Sequence, residues 1–210
     1  MMPSFRIWVW AIPLLLFGVF WLWYTPLSGP MKADEIDEIV TALQARGAPP
    51  ETVELFRTFF EEDDGKSFLM VNLIDMHDEP VELPATGPDA SSDALLGHYM
   101  EYMYPALFRR ASHPVFFGQA INDTMDLVGI EGAEHWERAA LMRYRSRRDL
   151  WEISSHPSFD ERHDYKIAAL EKTIAFPVSP IIFFGDLRLI LFLTLITALS
   201  LLDNWVLRQR

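Results

Sequence analysis

Three patterns of apolar and polar positions follow one another along the chain. At both ends apolar residues run together with almost no interruption. Between Lys32 and Phe60 they recur every three or four residues. From Phe68 onward they fill short blocks bounded by Gly, Pro and Ser. The first pattern suits a membrane span, the second amphipathic helices, and the third strands alternating with helices.

The helical spacing begins at Lys32–Arg46, where Ile36, Ile39, Val40 and Leu43 fall on one face and Asp34 and Glu35 occupy the first turn. Gly47 ends that helix and Pro49-Pro50-Glu51 opens another, with Val53, Leu55, Phe56, Phe59 and Phe60 as its apolar positions. This helical hairpin closes on the acidic run Glu61–Asp64. The pattern then predicts a strand over 67–76, a long loop over 77–92, and a helix over 95–111 that Pro105 should kink or restart. A strand over 113–122, a turn region over 123–135 and a strand over 136–145 follow. Helices over 146–154 and 158–172 and a strand over 173–178 complete the series.

The order is βαββαβ, that of a ferredoxin-like α+β fold. The strands are apolar on both faces: Phe68, Met70 and Ile74 alternate with Leu69, Val71 and Leu73. One helical layer hides one face only, so the other needs a cover, and a second copy of the sheet in a two-fold dimer is the simplest one.

At the N-terminus, Ile7–Tyr24 is 18 residues long and uncharged, with Trp8, Trp10, Trp21, Trp23 and Tyr24 near its ends. That length just crosses a hydrocarbon core, and aromatic rings favour its interfaces. The exit Thr25-Pro26-Leu27-Ser28-Gly29-Pro30 has no small-residue cleavage site, which favours an uncleaved anchor over a signal peptide. At the other end, Leu189–Leu202 is only 14 residues long; extending it back to Ile181 gives 22 and takes in Asp186 and Arg188. These two charges either sit in the headgroup zone and pair, or form an intramembrane ion pair facing a partner helix. The organisation expected is an anchor and linker over 1–30, a helical hairpin over 31–65, a barrel-like domain over 66–180, and a second span with a short basic tail over 181–210.

Charge orients this arrangement. Arg6 precedes the first span and Arg208 and Arg210 follow the second, whereas acidic residues dominate the inner flanks. Both termini are therefore expected in the cytoplasm, with the central domain outside. Residues 25–180 hold 14 Lys and Arg against 28 Asp and Glu. So acidic a domain repels phosphates, which excludes a nucleic-acid partner. The chain has no cysteine, which excludes disulfides, thiolate catalysis and cysteine–zinc sites.

Three segments carry a resemblance: the junction Met142-Arg143-Tyr144-Arg145-Ser146-Arg147-Arg148-Asp149-Leu150, then His156-Pro157-Ser158-Phe159, then Lys166-Ile167-Ala168-Ala169-Leu170 leading to Pro177. With them, Ser67–Pro177 resembles the dimeric α/β-barrel superfamily, in particular its branch of small domains of unknown function that pair sheet to sheet. Tyr144, Ser146, Arg147, Pro157, Lys166, Ala169 and Leu170 match its pattern. The resemblance implies a fold and a homodimer through the sheet face. Some members bind haem or oxidise aromatic compounds, but their haem-ligand and oxidant-handling motifs are not recognisable here, and no cofactor is expected.

Candidate chemistry is sparse. Arg143, Arg145, Arg147 and Arg148 surround Tyr144 and Ser146 in an otherwise acidic domain, and arginine forks suit carboxylates or phosphates. The same residues also read as a capped helix start, with Ser146 as N-cap, Asp149 three residues on, and arginines paired with local acids. Asn72, Gln119 and Arg138 interrupt apolar strands and either line a cavity or satisfy one another across a dimer. His98, Tyr99 and Tyr102 share a helix and could transfer protons. None of the six histidines has compact metal spacing, and no serine has a nucleophile-elbow context. The ligand-binding candidates are Arg143, Tyr144, Ser146, Arg147, Tyr99, Asn72 and Gln119, with no metal expected and no reaction indicated. Two readings follow. One is a membrane-anchored accessory or structural protein whose acidic outer domain dimerises or docks on a partner membrane protein. The other is a small-molecule binder or enzyme using the cavity near Arg143, Ser146 and Tyr99.

Overall fold

The computed structural model describes residues 3–208, with side chains over 6–206. The chain divides into two compact units, Met1–Leu27 with Ile181–Arg210, and Ser28–Pro180.

The first unit pairs α1 (Pro3–Tyr24) with α7 (Leu187–Arg208). They run antiparallel. Arg6 pairs with Asp203 at one end, Phe17 meets Phe192 at 5.5 Å midway, and Arg188 donates to Thr25 Oγ1 at 3.1 Å at the other. Both helices are long and apolar enough to cross a membrane, over Arg6–Tyr24 and Leu187–Val206. The second stretch starts six residues and ends four residues further on than the apolar run over 181–202 suggests. Asp186 stops the helix from starting earlier. Its carbonyl accepts from the Leu189 and Ile190 amides and its carboxylate from the Arg188 amide, which are N-cap contacts. The Arg188 guanidinium closes on the same carboxylate at 2.6 Å, so the two charges pair at the helix start. Of the basic tail, Arg210 and the side chain of Arg208 lie outside the described residues.

The second unit opens with the hairpin α2 (Ala33–Ala45) and α3 (Pro50–Glu61), whose Ile36, Ile39, Val40, Leu43, Val53 and Phe60 form a small core of their own. Then come β1 (Phe68–Met76), α4 (Ser92–Arg109), β2 (His113–Gln119), β3 (Arg138–Tyr144), α5 (Arg147–Ser154), α6 (Pro157–Ala169) and β4 (Leu170–Val178). The sheet is antiparallel throughout in the order β2-β3-β1-β4.

Several elements depart from the sequence pattern in their bounds. α4 starts at Ser92 because Ser91 caps it, and it passes through Pro105 without a break. α6 ends at Ala169 and runs into β4 with no intervening loop. Leu170 already has extended backbone (φ −112°, ψ 126°), and the Ala169 carbonyl accepts from the His77 amide at 3.0 Å.

Pairing fixes which side chains share a face. Phe68, Met70, Asn72 and Ile74 lie opposite Tyr144, Met142, Ala140 and Arg138 and turn toward the helices. Leu95, Tyr99, Met103 and Leu107 of α4, Ile153 of α5 and Tyr165 and Ala169 of α6 complete the core on this inner face. Leu69, Val71 and Leu73 face outward beside Leu141 of β3 and Ile174 and Phe176 of β4. On the outer face, in the two edge strands, Phe116 and Phe176 are 51 % and 44 % exposed, a hydrophobic surface that no described element of this unit covers.

Candidate functional site

An apolar cavity of about 720 Å³ lies between the inner face of the sheet and its helices. Met70 and Asn72 of β1, Ala140, Met142 and Tyr144 of β3, and Ala175 and Pro177 of β4 form its floor. Leu96, Gly97, Tyr99 and Met100 of α4 and Phe159, His163 and Lys166 of α6 form its roof, and Phe56 and Phe59 of α3 bound it as well. Gly97 is an exposed residue at the edge of this roof, and a Cβ built there meets nothing within 4 Å.

A few polar groups punctuate these walls. Asn72 stands at the middle of the central strand and donates to the Met70 carbonyl at 3.2 Å. Tyr144 stacks on Phe68, ring centres 5.3 Å apart and nearly parallel at 9°. Burial pushes the Tyr99 and Tyr144 hydroxyls well above the usual phenol range, so both are neutral donors. Neither bonds to another described residue, and both belong to the cavity wall. His163 stacks on Phe159 at 4.9 Å and meets Tyr99 edge-on at 6.2 Å. Burial lowers its pKa, as does Lys166 nearby, so the imidazole is neutral at pH 7. Burial also lowers the pKa of Lys166, whose Nζ lies 5.9 Å from the centre of the Tyr99 ring.

Of the sequence candidates, the structure thus brings together Asn72, Tyr99 and Tyr144. Arg143, Ser146, Arg147 and Gln119 do not line this cavity. Arg143 is buried on the opposite face, paired in register with Leu69, and donates to the Ala111 carbonyl at 2.6 Å. Ser146 caps α5: its hydroxyl accepts from the Asp149 amide at 3.0 Å and donates to the Asp149 carboxylate at 2.6 Å. Arg145 forks onto the same carboxylate at 2.9 and 2.6 Å. Arg147 donates to the Phe59 carbonyl, lies 4.7 Å over the Phe59 ring and meets buried Asp63 at 3.5 Å. Arg148 forks onto Glu35 at 2.8 and 2.9 Å. Arg147 and Arg148 thereby hold the helical hairpin to α5.

Gln119 lines a separate polar cleft of about 420 Å³ beside Asp123, His135 and Arg138. Arg138 is engaged with Asp93 at 2.5 and 3.0 Å. Next to the cleft, ligand atoms of Asp75, His135 and Glu137 lie within 4.8 Å of one another, the one set among the described residues that could hold a metal ion. A protein cation already serves it, since Lys172 Nζ is 3.3 Å from Asp75. His135 Nδ1 meets Asp123 at 2.9 Å, which raises the imidazole pKa. His98 and Tyr102 are occupied structurally: the His98 ring packs on Tyr165 at 4.4 Å, and Tyr102 donates to the Ile153 carbonyl at 2.8 Å.

His163 and Lys166 enter the site without having been singled out for chemistry in the sequence. Their signal was there: Phe159, His163 and Lys166 follow i, i+4, i+7 spacing on one face of α6.

No protein-family model matches the chain, and no curated protein matches it. Among solved structures, a protein of unknown function from Rhodopseudomonas palustris is 22 % identical with a TM-score of 0.51, over 62 % of this chain and 94 % of that one. A methylated form of it gives 22 % and 0.51, over 61 % and 91 %. A dimeric protein of unknown function and ferredoxin-like fold from Bacteroides fragilis is 10 % identical with a TM-score of 0.32, over 54 % and 96 %. The βαββαβ succession and the antiparallel β2-β3-β1-β4 order are those of the ferredoxin-like α+β fold, and the likeness to the Rhodopseudomonas protein is a likeness of fold.

Proposed function

We propose that this chain is a membrane-tethered small-molecule-binding protein, whose α+β domain takes an apolar ligand between its sheet and its helices. The cavity carries this reading. Its volume lies within the roughly 300–1,000 Å³ of ordinary ligand pockets, and its few polar groups converge from four elements. In this reading α1 and α7 are the anchors. Their antiparallel pairing supports both ends of the chain lying on one side of the membrane, and Arg6 makes that side the cytoplasm. The apolar outer sheet face pairs with a second copy, in the manner of the dimeric α/β-barrel superfamily.

The test is native mass spectrometry of the full chain released from lipid nanodiscs, compared with Gly97→Phe. Gly97 is exposed at the cavity's edge and a Cβ there meets nothing within 4 Å, so a phenyl group is tolerated there and stands at the cavity's mouth, in the way of a ligand. The expected result is a small-molecule adduct, one per chain, that the variant loses. Co-purification in fixed ratio with a larger membrane complex, with no adduct on the wild type, would instead return the accessory-protein reading.

A further inference from the structure

We infer that the ligand of this cavity is a lipophilic carboxylic acid, its carboxylate held at Lys166 and its hydrocarbon part lying along the inner face of the sheet. The inference rests on the cavity reading above and narrows it to a chemical class. Two lining residues carry a formal charge, Asp93 and Lys166. Asp93 is spoken for, because both of its oxygens accept from Arg138. Lys166 makes no ion pair and no hydrogen bond with any described residue; its recorded contact is with the face of the Tyr99 ring, 5.9 Å away. Lys166 is half-buried at an apolar cavity and lacks a counter-charge, and an anion brought by the ligand would supply one.

The surroundings favour a carboxylate over a larger anion. The neutral hydroxyls of Tyr99 and Tyr144 and the amide of Asn72 can donate to its oxygens, whereas no second cation is at hand for a phosphate or sulfate. The remaining walls are mostly Met, Leu, Ile, Phe and Ala, which accept a chain or ring, with Tyr104, Ser154 and His163 as the other polar side chains. Burial weakens the basicity of Lys166 for the same reason that it favours a partner.

Equilibrium dialysis of radiolabelled decanoate and decanol against the full chain in nanodiscs, with empty nanodiscs as the blank, tests this. Decanoate should bind the wild type about tenfold or more tighter than decanol, the factor a charge-assisted hydrogen bond supplies. Lys166→Met should bring decanoate down to the level of decanol and leave decanol unchanged, and Lys166→Arg should keep most of the preference. Equal binding of the two probes by the wild type, or a preference that survives Lys166→Met, overturns the carboxylate assignment and leaves the cavity reading standing. Binding of neither probe above the blank overturns the cavity reading itself.

Discussion

Glu35 is the residue through which the hairpin grips the rest of the domain. Its carboxylate accepts two hydrogen bonds from Arg148, and these, with the Lys32 amide, hold its pKa down at about 2. A carboxylate acidified by folding stabilises above its unfolded pKa and loses that contribution as pH falls through the folded one. The window is therefore from about pH 4.5 down to about 2. The pair is partly exposed, so Glu35→Gln should cost about 1 kcal/mol or less at pH 7. Urea unfolding should show that difference at neutral pH and its disappearance near pH 2. The charges of this region were legible in sequence where their partners are local. Ser146 and Asp149 are three residues apart, and a capping pattern finds them. Lys166 was not legible as a site residue, because a lysine on a helix reads as solvent-facing until Tyr99, 67 positions away, is seen beneath it.

Among the elements, helix starts and stops account for most of what the pattern alone leaves open. The apolar spacing of α4 begins at Leu95, but the cap that begins the helix is Ser91, whose hydroxyl accepts from Ala94 at 3.2 Å. The α6–β4 boundary has no Gly or Pro to announce it, and helical and extended readings of Lys166–Lys172 compete until β1 supplies strand partners. Glycines separate conformational need from packing need. Gly47 and Gly65 both have positive φ, 74° and 72°, after α2 and α3. A Cβ on Gly47 meets nothing, whereas one on Gly65 would lie 2.7 Å from the Gly29 carbonyl carbon and 2.8 Å from the Pro30 nitrogen. Gly47→Ala should therefore cost about 1 kcal/mol for the backbone conformation alone. Gly65→Ala should cost clearly more, because one stretch of main chain must move away from another. Denaturation midpoints of the two variants at equal pH measure this, and equal losses would contradict the close approach.

For the molecule as a whole, the sheet order and its two apolar faces set the architecture. The double apolarity of the strands was plain in the sequence, and so was the need for a cover on each face. The order of the strands and the cavity were not, because both depend on pairings between residues far apart in the chain. If two copies meet through the outer face, Leu141→Glu puts a charge at the centre of that contact. Light scattering should then show a dimer for the wild type and a monomer for the variant, with unchanged circular dichroism. A wild-type monomer would leave the outer face to another partner. Strands apolar on both sides also have a weakness: sliding by one residue exchanges the faces with little hydrophobic penalty. Here the polar residues supply the discrimination. Asp75 faces outward, where Lys172 reaches it at 3.3 Å, and Arg143 reaches the Ala111 carbonyl from the same side. A one-residue slip of β1 would turn the Asp75 carboxylate into the helical core and leave Lys172 without it. The ion pair thus acts less as a source of stability than as proofreading of strand alignment, rejecting the misaligned sheets that greasy side chains alone would tolerate.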